Sequence, residues 1–278
     1  MLENQNIVVF GAAGTLGSHF LKNALGLGAN CVAVDVNPVK GAVKYFKCDV
    51  TSLDEVTEVA EKIFEGFPTV DNVLNFTGVH HKSMDFFKDD HKKLMEDFHR
   101  VMHANLTGAF VLTMVFAKKM IGRRHGHIIH LCSNGSRLSL YGSYAYNISK
   151  HGLEGLIKTA ATQFAPFNVR VNGVAPGTVE TSLNRRLLRK NNGKDFSSRA
   201  ISILAHTPSK KFATLEGITE TIIAMCLPQR HFTGNIVFCD DGYNVEGHSW
   251  PEGNQALFKD FSELDKLFRS LEKDYPVD

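Results

Sequence analysis

The chain has 278 residues, 43% hydrophobic and 22% charged, which suits one large globular domain or two small ones with an ample core. A net charge of +2 gives no bulk electrostatic case for nucleic acid or a membrane surface as partner. Acidic Glu3 precedes the five-residue run NIVVF, so no secretory leader is expected, and no run reaches the ~18 apolar residues a membrane helix needs.

The first strand-like run, IVVF at 7–10, leads into GAAGTLGSHF, with Gly11, Gly14 and Gly17. Between a buried strand and a helix, such a turn lets backbone N–H groups and the helix N-terminus meet a pyrophosphate. A second run, 31–35, ends on Asp35, 18 residues after Gly17. A carboxylate there accepts hydrogen bonds from an adenosine ribose diol and repels a 2'-phosphate. The glycine loop holds no Arg or Lys, and none directly follows Asp35. NAD is therefore expected over NADP.

Further strand-like runs follow at 43–49, 70–76, 127–133, 169–175 and 235–240. Several are apolar on both faces, as strands covered by helices on each side are. Helical patterns fill 57–67 and 93–120 and continue after Lys150 through Leu153, Leu156, Ile157, Ala160, Ala161 and Phe164. The alternation predicts an α/β fold, a single doubly wound domain whose seven-stranded parallel sheet is flanked by helices. Within 93–120, Asn105 continues the face of Phe98, Val101 and Met102, where a buried amide needs partners.

HGHIIH at 125–130 invites a metal, but on a strand His127 and His130 point to opposite faces, so no metal site is expected. The five cysteines, Cys31, Cys48, Cys132, Cys226 and Cys239, form no CxxC, and four sit in or beside strand-like runs. They read as buried, reduced thiols of a cytoplasmic protein.

The stretch SYAYNISKHG, 143–152, offers two tyrosines, but only Tyr146 has a lysine four residues on, Lys150, on the same helical face. A free phenol has a pKa near about 10 and exchanges protons poorly at neutral pH. An ammonium ~4 Å away favours the phenolate by up to about 4 kcal/mol at an effective dielectric near 20. Tyr146 thus becomes a candidate general acid/base, while Tyr144 and Tyr141 have no such partner.

Segment 177–214 is polar and basic and shows no strand pattern, as lids and binding loops often do. Its Arg185, Arg186, Arg189, Lys190, Lys194 and Arg199 suit an anionic substrate or, more plainly, a solvated helix face. Residues 247–278 form a tail in which Phe261, Leu264, Leu267, Phe268 and Leu271 predict a short amphipathic helix beginning near Ser262. The expected organisation is one domain over 1–246, with 177–214 inserted as a lid, followed by that tail.

Taken together, these motifs resemble the short-chain dehydrogenase/reductase family in its compact, single-domain Rossmann branch, over roughly residues 5–245. Tyr146 and Lys150 match its Tyr-x-x-x-Lys, Ser133 stands thirteen residues before Tyr146, and Asn105 in HANLTGAF matches its helical asparagine. The resemblance implies that Tyr146 passes a proton during hydride transfer and that Ser133 holds the substrate oxygen. Lys150 would favour the phenolate and bind the nicotinamide ribose, and Asn105 would anchor a water relay to Lys150. It further implies cofactor contacts from Gly11, Gly14, Thr15, Leu16, Gly17, Asp35, Asp49, Val50, Asn75, Thr77, Gly78, Tyr146, Lys150, Pro176, Gly177 and Thr181. The expected activity is NAD-dependent interconversion of a secondary alcohol and a ketone, on a sugar-like or anionic substrate in one reading, by a homotetramer or homodimer packed through the helices at 93–120 and 149–165.

The chain departs from the family pattern at three places. Thr15 replaces the middle glycine, giving the Gly-x-x-Gly-x-x-Gly spacing of the family's extended branch. Asn-Asn-Ala-Gly becomes Asn75-Phe76-Thr77-Gly78, and Asp-Gly-Gly becomes Asp240-Asp241-Gly242. Two alternatives follow: an NAD-retaining sugar-nucleotide epimerase or dehydratase of the extended branch, and a nucleotide-sensing protein without turnover. His80 and His81, just after Gly78, are expected either near the pocket mouth or on the surface.

Overall fold

The computed structural model describes residues 1–41, 44–80, 90–139, 143–181, 184–190, 193–228 and 231–245, apart from the side chains of 186 and 187. In chain order the first elements are β1 (Asn6–Phe10), α1 (Thr15–Gly26), β2 (Asn30–Asp35), β3 (Tyr45–Lys47), α2 (Leu53–Gly66) and β4 (Asn72–Asn75). Then come α3 (His91–Met102), a π-turn at His103–Thr107, α4 (Gly108–Arg123), β5 (Gly126–Leu131), α5 (Tyr144–Phe164) and β6 (Val169–Pro176). The last elements are α6 (Arg185–Leu188), β7 (Arg189–Lys190), β8 (Asp195–Phe196), α7 (Ser198–His206), α8 (Leu215–Cys226) and β9 (Ile236–Cys239).

Seven strands form one parallel sheet in the order β3-β2-β1-β4-β5-β6-β9. The sheet matches the predicted one strand for strand. β1 runs between β2 and β4, so the winding reverses there. In such sheets the crevice beyond the strands' carboxyl ends at that switch point takes the ligand. All seven strands run parallel, which brings the carboxyl ends of β1, β2, β4, β5 and β6 to one edge.

Local chemistry starts the helices. Ser52 accepts a hydrogen bond from the Glu55 N–H to open α2, and Asp90 accepts one from Lys92 to open α3. On α2, Val56, Val59, Ala60, Ile63 and Phe64 make the buried stripe. Phe116 of α4 packs edge-on against Phe10 of β1, ring centres 5.5 Å apart, and against Phe64 at 6.0 Å. This aromatic contact ties two helices to the central strand.

Several expectations need correction. The third strand keeps only Tyr45–Lys47 of the predicted 43–49. The helix at 93–120 is longer, His91–Arg123, and widened by the π-turn. Its length and mean hydropathy of 1.3 over its most apolar stretch satisfy the size of a membrane span, against the reading that no stretch does, yet half of that stretch is buried in the protein. Leu112, Phe116 and Met120 are spent on the core, while Phe110 and Met114 are exposed.

Thr178–Ala213, with the described residues from Asp240, forms a second compact unit distinct from Met1–Gly177 with Thr214–Cys239. Segment 177–214 shows no strand pattern in sequence, but β7 and β8 pair there as a short antiparallel hairpin. Two-residue strands are too short to show a period. In the same unit Glu180 pairs with Arg189, Nη2 to Oε2 2.6 Å, and lies 3.6 Å from the Nε of Arg185. Two of the six cations that suggested an anionic substrate thus face a carboxylate of their own unit. Tyr141, His81, the Arg186 side chain and the helix expected near Ser262 lie outside the described residues.

Candidate active site

The glycine turn shows which glycine does what. Gly11 has φ +75°, and a Cβ there would stand 2.7 Å from the Phe76 carbonyl carbon. A Cβ on Gly17 would meet the Gly11 oxygen at 2.2 Å. These two glycines let α1 and the loop after β4 approach β1 closely. Gly14, at φ −70°, is the N-cap of α1; no side chain caps this end, and its first turn holds no acidic residue. The N–H groups of Thr15, Leu16 and Gly17 therefore lack intrahelical acceptors and make an anion-receiving end. Phe76, the departure in the next loop, packs its ring on Phe20 of α1 at 5.8 Å.

Asp35, ending β2, accepts the Ala13 N–H on Oδ2 and the Asn37 N–H on Oδ1, each at 2.9 Å. The carboxylate is thereby fixed beside the glycine loop. After β3, Asp49 Oδ1 accepts from the Thr51 N–H and hydroxyl, and neighbouring Val50 is buried. A cavity of about 850 Å³ opens beside this region, lined by Ala13, Thr15, Ser18, Lys22, Lys40 and Gly41 among others. The motif pattern does not reveal its two lysines, since Lys22 lies inside α1 and Lys40 stands five residues after Asp35.

The loop after β4 is wired from both sides. Asn75 accepts the Thr77 N–H and hydroxyl on Oδ1, at 3.1 and 2.6 Å, and offers Nδ2 to His130 of β5. His130 is fully buried and pushed down to about 3, first by burial and then by the Lys150 charge. It is neutral, and completes the chain by donating Nε2–H to Thr113, whose hydroxyl donates to the Ala109 carbonyl. His127, on the opposite face, receives an N–H from Asn172 instead.

Asn105 sits inside the π-turn, a feature common at functional sites. It is buried, and finds its partners: Oδ1 accepts the Val79 N–H at 2.7 Å, while Nδ2 donates to the Val79 carbonyl and to Ser149 Oγ, each at 3.0 Å. Ser149 donates in turn to the Tyr146 carbonyl. The asparagine thus ties the loop after β4 to α5.

On α5, Lys150 is buried and donates to the Leu131 carbonyl at the end of β5, 2.7 Å away. Its Nζ lies 5.7 Å from the centre of the Tyr146 ring. A Cβ on Gly78 would meet Asn105 Oδ1 at 3.2 Å and Lys150 Nζ at 3.9 Å, so these three residues adjoin. Tyr146 is half-buried, whereas Tyr144 is exposed. His80, reached by the same loop, lies flat on Tyr146, ring centres 4.1 Å apart and planes within 10°. The sequence left His80 undecided between pocket and surface.

Ser133 follows β5 and caps a short turn, accepting the Gly135 N–H while Ser136 Oγ accepts its own N–H. Its hydroxyl proton is not used by that cap. Cys132, directly before it, is held as a thiol, pushed up to about 12 by burial. Pro176 ends β6, and the Gly177 N–H donates to the Cys239 carbonyl. Thr181 belongs to the second unit, where Asn184 Oδ1 accepts its N–H.

A dinucleotide-type crevice with a tyrosine and a buried lysine on one helix defines a nucleotide-dependent oxidoreductase architecture. A family model described as short chain dehydrogenase matches residues 5–192. The chain is 34% identical over 194 residues to the short-chain dehydrogenase/reductase olcF of Penicillium canescens, covering 66% of this chain and 72% of that protein. It is 26% identical to the 3-oxoacyl-[acyl-carrier-protein] reductase FabG of Thermotoga maritima, over 87% of this chain and 98% of the relative. The structure of Thermoplasma acidophilum aldohexose dehydrogenase superimposes with a TM-score of 0.77 at 22% identity, covering 88% and 96% of the two chains. The protein belongs to the short-chain dehydrogenase/reductase family, oxidoreductases acting on CH–OH groups.

Proposed function

We propose that the protein interconverts a secondary alcohol and a ketone with NAD, Tyr146 carrying the proton. The observation that carries this reading is the Tyr146–Lys150 pair on one face of α5, with Lys150 anchored to Leu131 at the carboxyl edge of the sheet and adjoining Gly78 and Asn105. The residues fit a nicotinamide dinucleotide. The uncapped α1 N-terminus suits a pyrophosphate, the fixed Asp35 carboxylate a ribose diol, and Asp49 with Val50 the adenine side. Bound, the cofactor supplies the hydride acceptor or donor.

The chain's own residues do the rest. Tyr146 takes the proton of the alcohol, or returns it to the ketone oxygen, as general base or acid. Ser133 donates its hydroxyl proton to that oxygen. Lys150 spends one N–H on Leu131, keeping others for a ribose hydroxyl. Asn105 holds the loop that brings Thr77 and Gly78 to the site.

Asp35 favours NAD by repelling a 2'-phosphate, while Lys22 and Lys40 on the neighbouring cavity pull the other way. A solved structure superimposing at 21% identity, with a TM-score of 0.77, is that of ElxO with NADP bound. Exposed Phe110 and Met114 on α4, and Tyr144 and Ile148 on α5, support packing of a second copy along these helices. Four buried thiols support a reducing, cytoplasmic setting.

Calorimetric titration with NADH and, separately, NADPH tests the reading, followed by a panel of secondary alcohols with Tyr146→Phe as control. Tight NADH binding and Tyr146-dependent turnover are expected. Failure of both nucleotides to bind protein free of retained cofactor would sink it.

A further inference from the structure

The loop after β4 carries a ring to the proposed proton-transfer tyrosine and is held there by two independent clamps. Asn105 takes both backbone groups of Val79. Arg100 of α3, itself bonded to Asp97 through Nε at 2.9 Å, donates Nη2–H to the His80 carbonyl at 2.7 Å. With the backbone fixed on each side, the His80 imidazole lies flat on Tyr146, ring centres 4.1 Å apart and 10° from parallel.

We propose that His80 is a positioning residue that fixes the plane of the Tyr146 ring through this stack. A phenol on a two-bond side chain can turn about χ1 and χ2. Three neighbours confine it: its own helix, the Lys150 ammonium 5.7 Å from its ring centre, and the imidazole covering one face. The stack leaves the phenolic oxygen at the ring's edge for proton exchange. It requires a flat ring at position 80 rather than a proton on it, which separates this role from acid/base catalysis. The inference rests on the reading of Tyr146 as proton carrier, so its test has a part that needs no substrate.

That part is the nuclear magnetic resonance spectrum of protein with carbon-labelled tyrosine rings, the Tyr146 signal being assigned by its loss in Tyr146→Phe. A stacked imidazole shifts that signal by its ring current. The shift is expected to vanish in His80→Ala and to persist in His80→Phe. The second part is turnover of whichever secondary alcohol in the panel gives the fastest NADH formation. His80→Ala is expected to lower kcat about 10- to 100-fold, the scale of a misplaced catalytic group, with KM and NADH affinity within about twofold of wild type. His80→Phe is expected to restore most of the loss. An unshifted Tyr146 signal, a loss confined to KM or NADH binding, or no rescue by Phe overturns the inference. A protein that shows the shifted signal but turns over no alcohol contradicts the proposed function and leaves the stack standing.

Discussion

Asn75 donates its Nδ2 to the Nδ1 of His130, 3.2 Å away, across the register that pairs β4 with β5. The bond requires a neutral imidazole, and burial keeps it so, with a pKa of about 3 against an ordinary 6.5. Between those values the unfolded chain binds more protons than the folded one, so stability rises with pH. The contribution is whole above the unfolded value and is lost as pH falls toward 3. At pH 5 the loss from this one group is about 2 kcal/mol. Denaturant unfolding of wild type and His130→Gln at pH 7 and pH 5 checks this. The variant, with nothing to titrate there, is expected to lose about 2 kcal/mol less over that interval; equal losses would refute the neutral, buried histidine.

The three glycines of the first turn are not equivalent. Gly11→Ala combines a positive φ with a 2.7 Å approach to the backbone of Phe76, and Gly17→Ala drives a methyl to 2.2 Å from the Gly11 oxygen. Each is expected to destabilise the protein by at least about 2 kcal/mol. Gly14→Ala has an ordinary φ and a 3.2 Å contact, and should cost about 1 kcal/mol or less. Equal unfolding midpoints for all three would contradict the geometry.

For Tyr146→Phe, removing the hydroxyl but not the ring should cut turnover at least about 100-fold while leaving NADH affinity close to wild type. Lys150→Met should reduce both turnover and nucleotide binding, because Lys150 adjoins Gly78 as well as Tyr146. Wild-type turnover in Tyr146→Phe would remove the tyrosine from the mechanism.

Cofactor choice tests the opposed charges near Ala13. Wild type is expected to bind NADH at least about tenfold more tightly than NADPH, the scale of one or two hydrogen bonds to a charged group. Asp35→Ala should reverse the order. Replacing Lys22 and Lys40 by alanine in that background should lower NADPH affinity again. If NADPH is preferred by wild type itself, the lysines outweigh Asp35.

The seven sheet strands were legible because each is a short apolar run set between helices, and the parallel order follows from that alternation. Tyr146 and Lys150 were legible from spacing alone, since four residues on a helix fix a shared face. Asn105 announced itself as an amide on an apolar stripe, and the structure gives it Val79 and Ser149 as partners. Other features were beyond this reading. The π-turn leaves the apolar pattern continuous, the hairpin of β7 and β8 is too short for a period, and the stack of His80 on Tyr146 joins residues 66 positions apart. Lys22 and Lys40 meet the glycine loop only through the folding of α1 and the turn after β2.

The widened turn at His103–Thr107 separates two tasks within one helix. A π-turn is an α-turn holding one surplus residue, and an α-helix turns about 100° per residue. With the surplus residue, the stripe of Leu94 and Val101 and the stripe of Leu112, Phe116 and Met120 both stay in the core while Asn105 leaves the spiral to reach Val79. Deleting one residue there would turn one stripe by about 100° against the other as well as moving Asn105 away from Val79. One surplus residue thus sets both how the long helix fills the core and how Asn105 holds the neighbouring loop.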